Sequence, residues 1–145
     1  MQKPDAPSCE RNREPILAVL RDHFADRHAV LEIGSGTGQH AVFSANTLHI
    51  MSWSEVERLF AGLPGILTDD ARLVIYGPFN YGGQYTSESN AVFNAWLKSQ
   101  GAHQGLRDFE AVDALARQAG LVLLEDRAMP SNYRCLVWRT APLAR

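Results

Sequence analysis

The run Val30-Leu31-Glu32-Ile33-Gly34-Ser35-Gly36-Thr37-Gly38 constrains this chain more than any other, because a short apolar strand empties there into a turn with glycines at alternating positions. Without a Cβ, glycine reaches positive φ and lets the backbone approach a ligand closely. Such a turn suits a passage from strand to helix that aims N–H groups at a cofactor. Glu32 stands just ahead of the first glycine. Its carboxylate repels phosphate but accepts hydrogen bonds from an amine or a hydroxyl. No Gly-Lys-Ser/Thr follows. A P-loop is therefore disfavoured, and a nucleoside-bearing cofactor without a tightly held triphosphate is favoured.

At 145 residues, 46% of them hydrophobic, the chain is long enough for one core and too short for two, so residues 1–145 are expected to form a single domain. A formal charge of -2 gives no general attraction to nucleic-acid backbones or anionic membranes. Cys9 and Cys135 lie nearly a chain length apart. That excludes a zinc knuckle, argues against a disulfide scaffold, and leaves no metal site expected. The polar start lacks the apolar centre of a signal peptide, and no run reaches the roughly 18 apolar residues of a membrane span. A soluble cytoplasmic protein is the expectation.

Residues 1–12 read as a loose polar arm, and Glu14-Pro15 opens a helix with Ile16, Leu17, Leu20 and Phe24 on one stripe. The first strand spans Ala29 to Ile33. Ser52-x-x-Glu55 is a capping box, with Met51 and Val56 placed as a hydrophobic staple, so a helix starts at Trp53 and turns Val56, Leu59 and Phe60 inward. It stops by Gly62 or Pro64. Arg72 to Tyr76 reads as a strand ended by Gly77-Pro78, before a polar loop from Asn80 to Ser89 and a short helix from Ala91 to Leu97 anchored by Trp96. Asp108 is placed to cap a helix with Val112, Leu115, Ala116 and Ala119 on its apolar face and Gly120 at its C′ position. Leu121 to Leu124 and Arg134 to Arg139 close the chain as strands. Alternating helices and strands predict an α/β sheet covered by helices, with an antiparallel last pair allowed.

The segment after the glycine turn has two readings. Only Gly34 to His40 separate Ile33 from the apolar run at Ala41, whereas a parallel crossover normally needs a dozen residues or more. Val42 to Asn46 is thus either a strand entered by a cramped loop or part of a helix that places Ala41, Val42, Ala45 and Leu48 on one face.

The chain resembles the DUF938 family of small class I S-adenosylmethionine-dependent methyltransferase-like proteins. The resemblance rests on Ala6 to Leu17, on Val30 to Val42, on Phe43-Ser44-Ala45-Asn46-Thr47-Leu48-His49-Ile50, and on Tyr76-Gly77-Pro78-Phe79 with Gly82 to Asn90. Met129-Pro130, Asn132 and Leu136-Val137-Trp138 resemble the family's end. The resemblance implies a Rossmann-like three-layer α/β sandwich, a reduced class I methyltransferase fold with a mostly parallel sheet and an antiparallel last strand. It implies S-adenosyl-L-methionine as cofactor, with Glu32, Gly34, Gly36 and Gly38 as its first motif; Ser35 within that turn and Asn46 at a strand end are the further expected cofactor residues. His40-Ala41-Val42 runs almost directly into Phe43 to Asn46, where the family is expected to carry about sixty more residues, two crossover units with the second and third strands. That stretch would hold the acidic residue for the cofactor ribose and the adenine walls.

Methyl transfer to an unidentified small molecule or protein is the first expected function, with His49 as general base at a strand end. Tyr81, Gln84, Asn90 and Asn132 are the expected acceptor-binding residues, since strand-end loops gather ligands in α/β folds. Ser87 and Asn90 equally suit a helix cap. A noncatalytic interaction or regulatory protein is the alternative, because absent strands would expose a sheet edge that a second copy or another protein would cover. A nucleotide oxidoreductase ranks last: no acidic strand end follows the glycine turn at about 20 residues.

Overall fold

The computed structural model describes residues 7–24, 30–32 and 41–141. In chain order these form α1 (Pro7–Phe24), β1 (Val30–Glu32), β2 (Ala41–Ala45), α2 (Trp53–Gly62), β3 (Arg72–Gly77), β4 (Phe79–Asn80), α3 (Glu88–Gln100), β5 (Arg107–Asp108), α4 (Phe109–Gln118), β6 (Leu121–Ala128) and β7 (Arg134–Thr140). The main sheet has the order β1-β2-β3-β7-β6. The first three strands are parallel, while β7 runs antiparallel to both β3 and β6.

Residues 41–45 are therefore a strand. Its register, Leu31↔Val42↔Leu73, places it between two parallel neighbours that satisfy its backbone on both sides. A helix at this point would have left β1 without this partner and β3 open on that side.

Alternation along the strands builds two cores. Val42, Leu73, Ile75, Leu136 and Trp138 pack with Val56 and Phe60 of α2 and with Val112 and Ala116 of α4. Val74, Tyr76, Cys135 and Val137 pack on the other face with Val19 of α1. The result is helix, sheet and helix in three layers, as the sequence pattern implies.

Several boundaries differ from the sequence reading. The first helix begins at Pro7 rather than near Glu14 and carries Pro15 inside it. Proline inside a helix removes one backbone donor and crowds the carbonyl four residues earlier, so the burial of Val19 against the sheet has to offset that cost. Val19, fully buried, is the centre of its stripe. The helix expected at Ala91 to Leu97 extends over Glu88–Gln100, because Ser87 caps it by accepting from the Asn90 N–H. Its buried anchor is Leu97; Trp96 is only partly covered. Within the polar loop, β4 pairs with β5, and Tyr81 and Gln84 exchange backbone bonds across Gly82-Gly83. Both glycines have positive φ, 60° and 76°, the geometry of a tight two-residue hairpin turn. The capping box at Ser52 and Glu55 is present in full, and Gly120 ends α4 at φ 82°. Asp108 occupies the N-cap of α4 without a side-chain capping bond.

Among the described residues, β1 is paired on one side only. The main sheet has five strands among the described residues.

Candidate functional site

Parallel strands point their C-terminal ends, and the loops that follow, to one edge of the sheet, where α/β folds bind ligands. Here that edge carries the end of β1 at Glu32, the turn from β2 into α2, and the loop after β3. Arg134 pairs with Gly77, so the β6–β7 turn reaches the same end.

Glu32 closes β1 opposite Phe43. Gly34, Ser35, Gly36 and Gly38 lie outside the described residues. Asn46 follows β2 in the left-handed region, φ 56°, and its N–H donates to the Tyr76 carbonyl at 3.0 Å. This extends the β2–β3 ladder by one bond and turns the chain toward His49. Ser44 and Thr47 join hydroxyls across the turn.

His49 is buried, with its ring edge-on to Phe93 of α3 at 5.3 Å between centroids. A Cβ at position 77 would lie 3.8 Å from its Nδ1, so Gly77 leaves room beside the ring. The loop around it is held from a distant segment. Gly105 N–H donates to the His49 carbonyl at 2.9 Å, and Arg107 donates to the carbonyls of Leu48 at 3.3 Å and Met51 at 2.5 Å. His49 is thus a packed residue at the strand-end loop, covered by α3.

Of the four expected acceptor residues, Tyr81 and Gln84 face each other across a hairpin, Asn90 lies in the first turn of α3 and Asn132 in the β6–β7 turn. Tyr81 stacks on Phe109 at 5.3 Å and donates its hydroxyl to Asp126 Oδ2 at 2.7 Å. Arg134 pairs with the other oxygen of Asp126 at 2.7 Å and lies over the Tyr81 ring. Burial and the Asp126 carboxylate push the Tyr81 phenol well above its ordinary value, so it stays a neutral donor. Gln84 is exposed on the hairpin turn. Asn90 is buried and donates from its amide to the Thr86 hydroxyl at 3.0 Å, which ties it to the helix start beside the Ser87 cap. Asn132 is exposed in the β6–β7 turn at φ 63°.

Asp126, Arg107 and Trp53 take part in this end of the molecule although the sequence reading did not single them out. Their partners lie far along the chain, and no local spacing announces them. Two buried polar atoms, Asn80 Oδ1 and Trp96 Nε1, have no hydrogen-bond partner among the described residues. Atoms of this kind cost about 1–3 kcal/mol each unless a ligand or water satisfies them.

Comparison with solved structures returns the same fold. An O-methyltransferase family protein from Burkholderia thailandensis matches with a TM-score of 0.64 at 18% identity, over 77% of this chain and 32% of that one. An O-methyltransferase family 2 protein from Planctomyces limnophilus, in complex with apigenin, matches with a TM-score of 0.65 at 15% identity, over 74% and 31%. Human N-acetylserotonin methyltransferase in complex with SAM matches with a TM-score of 0.59 at 12% identity, over 70% and 29%. The chain spans about a third of the length of these structures, and at such identities the likeness is one of fold. The family model described as "Protein of unknown function (DUF938)" matches in two segments, residues 3–45 and 41–140, which overlap over the whole of β2. With nearly the whole chain matched by that model and the class I methyltransferase fold around it, this chain belongs to the DUF938 family.

Proposed function

We propose that the chain is an S-adenosylmethionine-dependent methyltransferase acting on a small molecule or a protein. The observation that carries this reading is the meeting, at one end of the parallel strands, of the Glu32 strand end, the Asn46–His49 turn and the loop after β3. Strand-end loops of α/β sheets are where cofactor and acceptor meet.

In this reading Glu32, at the end of β1, supplies the carboxylate that holds the cofactor's amine, and Asn46, which directly follows β2, contributes from the next strand. On the ribose and adenine side, no strand pairs with β1 among the described residues. No carboxylate occurs between Glu32 and Glu55 to replace the missing ribose partner.

When bound, the cofactor supplies a sulfonium methyl, an electrophile that needs no metal or covalent enzyme intermediate. The chain's part is to align the acceptor and exclude water. His49, fixed through its own carbonyl and those of Leu48 and Met51, is the candidate to take the acceptor's proton on its imidazole. Tyr81 stays a donor under the pull of Asp126 and shapes the loop rather than exchanging protons.

Titration calorimetry with S-adenosylmethionine, followed by label transfer into a cell extract, tests the reading. Saturable binding with transferred label is expected. A folded sample that binds none would remove it.

Among the described residues β1 is paired on one side only, which favours a second reading, a noncatalytic interaction protein in which another chain covers that edge. Light scattering after size exclusion separates the two: a stable oligomer without cofactor binding supports the second, a compact monomer that binds the cofactor the first.

A further inference from the structure

A cleft of about 250 Å³ opens between the starts of α2 and α4, lined by Trp53, Leu106, Arg107, Asp108 and Ala111. Arg107 decides its chemistry. Its Nε donates to the Leu48 carbonyl, and its NH2 nitrogen donates to those of Met51 and His103, at 3.3, 2.5 and 2.9 Å. No carboxylate among the described residues pairs with it, and its second terminal nitrogen has no acceptor there. The guanidinium centre stands 5.7 Å from the centre of the Trp53 ring. Burial weakens its hold on the proton.

A cation that is partly desolvated, anchored on neutral carbonyls and left with an unused N–H pair is matched by an oxyanion. The apolar parts of Trp53, Leu106 and Ala111 match a flat ring. Arg107 is also held rigidly, so a ligand would lose little by ordering it. Asp108 on the same wall works against an anion and makes no capping bond that would turn it away.

We propose that this cleft is a binding site for a small aromatic carboxylate, whose ring lies against Trp53 and Leu106 and whose oxygens accept from the free nitrogen of Arg107. The site does not depend on methyl transfer, and its test involves neither cofactor nor turnover.

The test follows the Trp53 indole N–H by NMR during titration with benzoate, with benzyl alcohol as the ring without charge and inorganic phosphate as the charge without ring. Benzoate is expected to give a saturable shift, and the other two at least about tenfold weaker ones. Arg107→Lys should weaken benzoate about tenfold or more, since lysine cannot hold the carbonyls and the ligand together. Asp108→Asn keeps a good N-cap and should tighten benzoate about threefold by removing a like charge. Its gain cannot come from a damaged fold, so it stands even if Arg107→Lys loosens the loop. No saturable shift, equal binding of benzyl alcohol or of phosphate, or unchanged or weaker binding in Asp108→Asn would each overturn the assignment.

Discussion

The Tyr81 hydroxyl donates to Asp126 Oδ2 at 2.7 Å, joining the loop after β3 to β6 across 45 residues of sequence. Arg134 completes the arrangement from the other carboxylate oxygen. Tyr81→Phe should cost about 1 kcal/mol in urea unfolding, because it removes one half-buried bond and leaves Asp126 its arginine. The same bond has a pH signature. Burial first, then Asp126, raise the phenol's folded value above its ordinary 10.0. The stabilisation is therefore complete below pH 10 and declines as pH rises beyond it, since the unfolded chain ionises first. Tyr81→Phe should lose that part of the alkaline decline in melting temperature.

Acid behaves in the opposite sense at the α1 face. A hydrogen bond from Arg127, with a smaller contribution from His23, holds Glu125 below the ordinary carboxylate range against the opposing pull of burial. Its folded value lies under the unfolded one, so its stabilisation is present above about pH 4.5 and lost as pH falls through the folded value. Melting temperatures of Glu125→Gln and the parent should differ near neutrality and converge in acid.

Trp138 is fully buried and donates to Asp113 Oδ1 at 2.9 Å, while Arg117 pairs with the other oxygen at 3.0 Å. Trp138→Phe leaves that carboxylate oxygen short of a donor and opens space beside Phe60. A loss of about 3 kcal/mol in denaturant unfolding is expected.

At the start of α2, the Ser52 hydroxyl accepts from the Glu55 N–H at 3.2 Å and Glu55 reaches back to the Ser52 N–H at 3.3 Å. Ser52→Ala should cost about 1 kcal/mol in the same assay.

Glu32→Gln should weaken S-adenosylmethionine binding by about tenfold while the melting temperature stays close to that of the parent. Under the proposed function, the substitution removes a charge-assisted bond to the cofactor without a change of volume. Calorimetric titration of both proteins decides the matter, and equal affinity would take Glu32 out of the ligand site.

What the sequence by itself determined is what short-range chemistry controls. The Ser52–Glu55 box, the Gly120 stop, the buried run of β3 and the amphipathic stripes of α2 and α4 depend on residues within one or two turns of each other. Glu32 before the glycine turn, with the stretches that resemble DUF938, was legible for the same reason. Tertiary structure decided the rest. Residues 41–45 suit strand or helix equally until β1 and β3 flank them, because backbone pairing outweighs a weak local preference. Tyr81 turned toward Asp126, and Arg107 took hold of Leu48 and Met51. Each of the long-range contacts joins groups dozens of residues apart, and no spacing rule reaches that far. The cleft beside Trp53 exists only because α2 and α4 pack side by side on one face of the sheet.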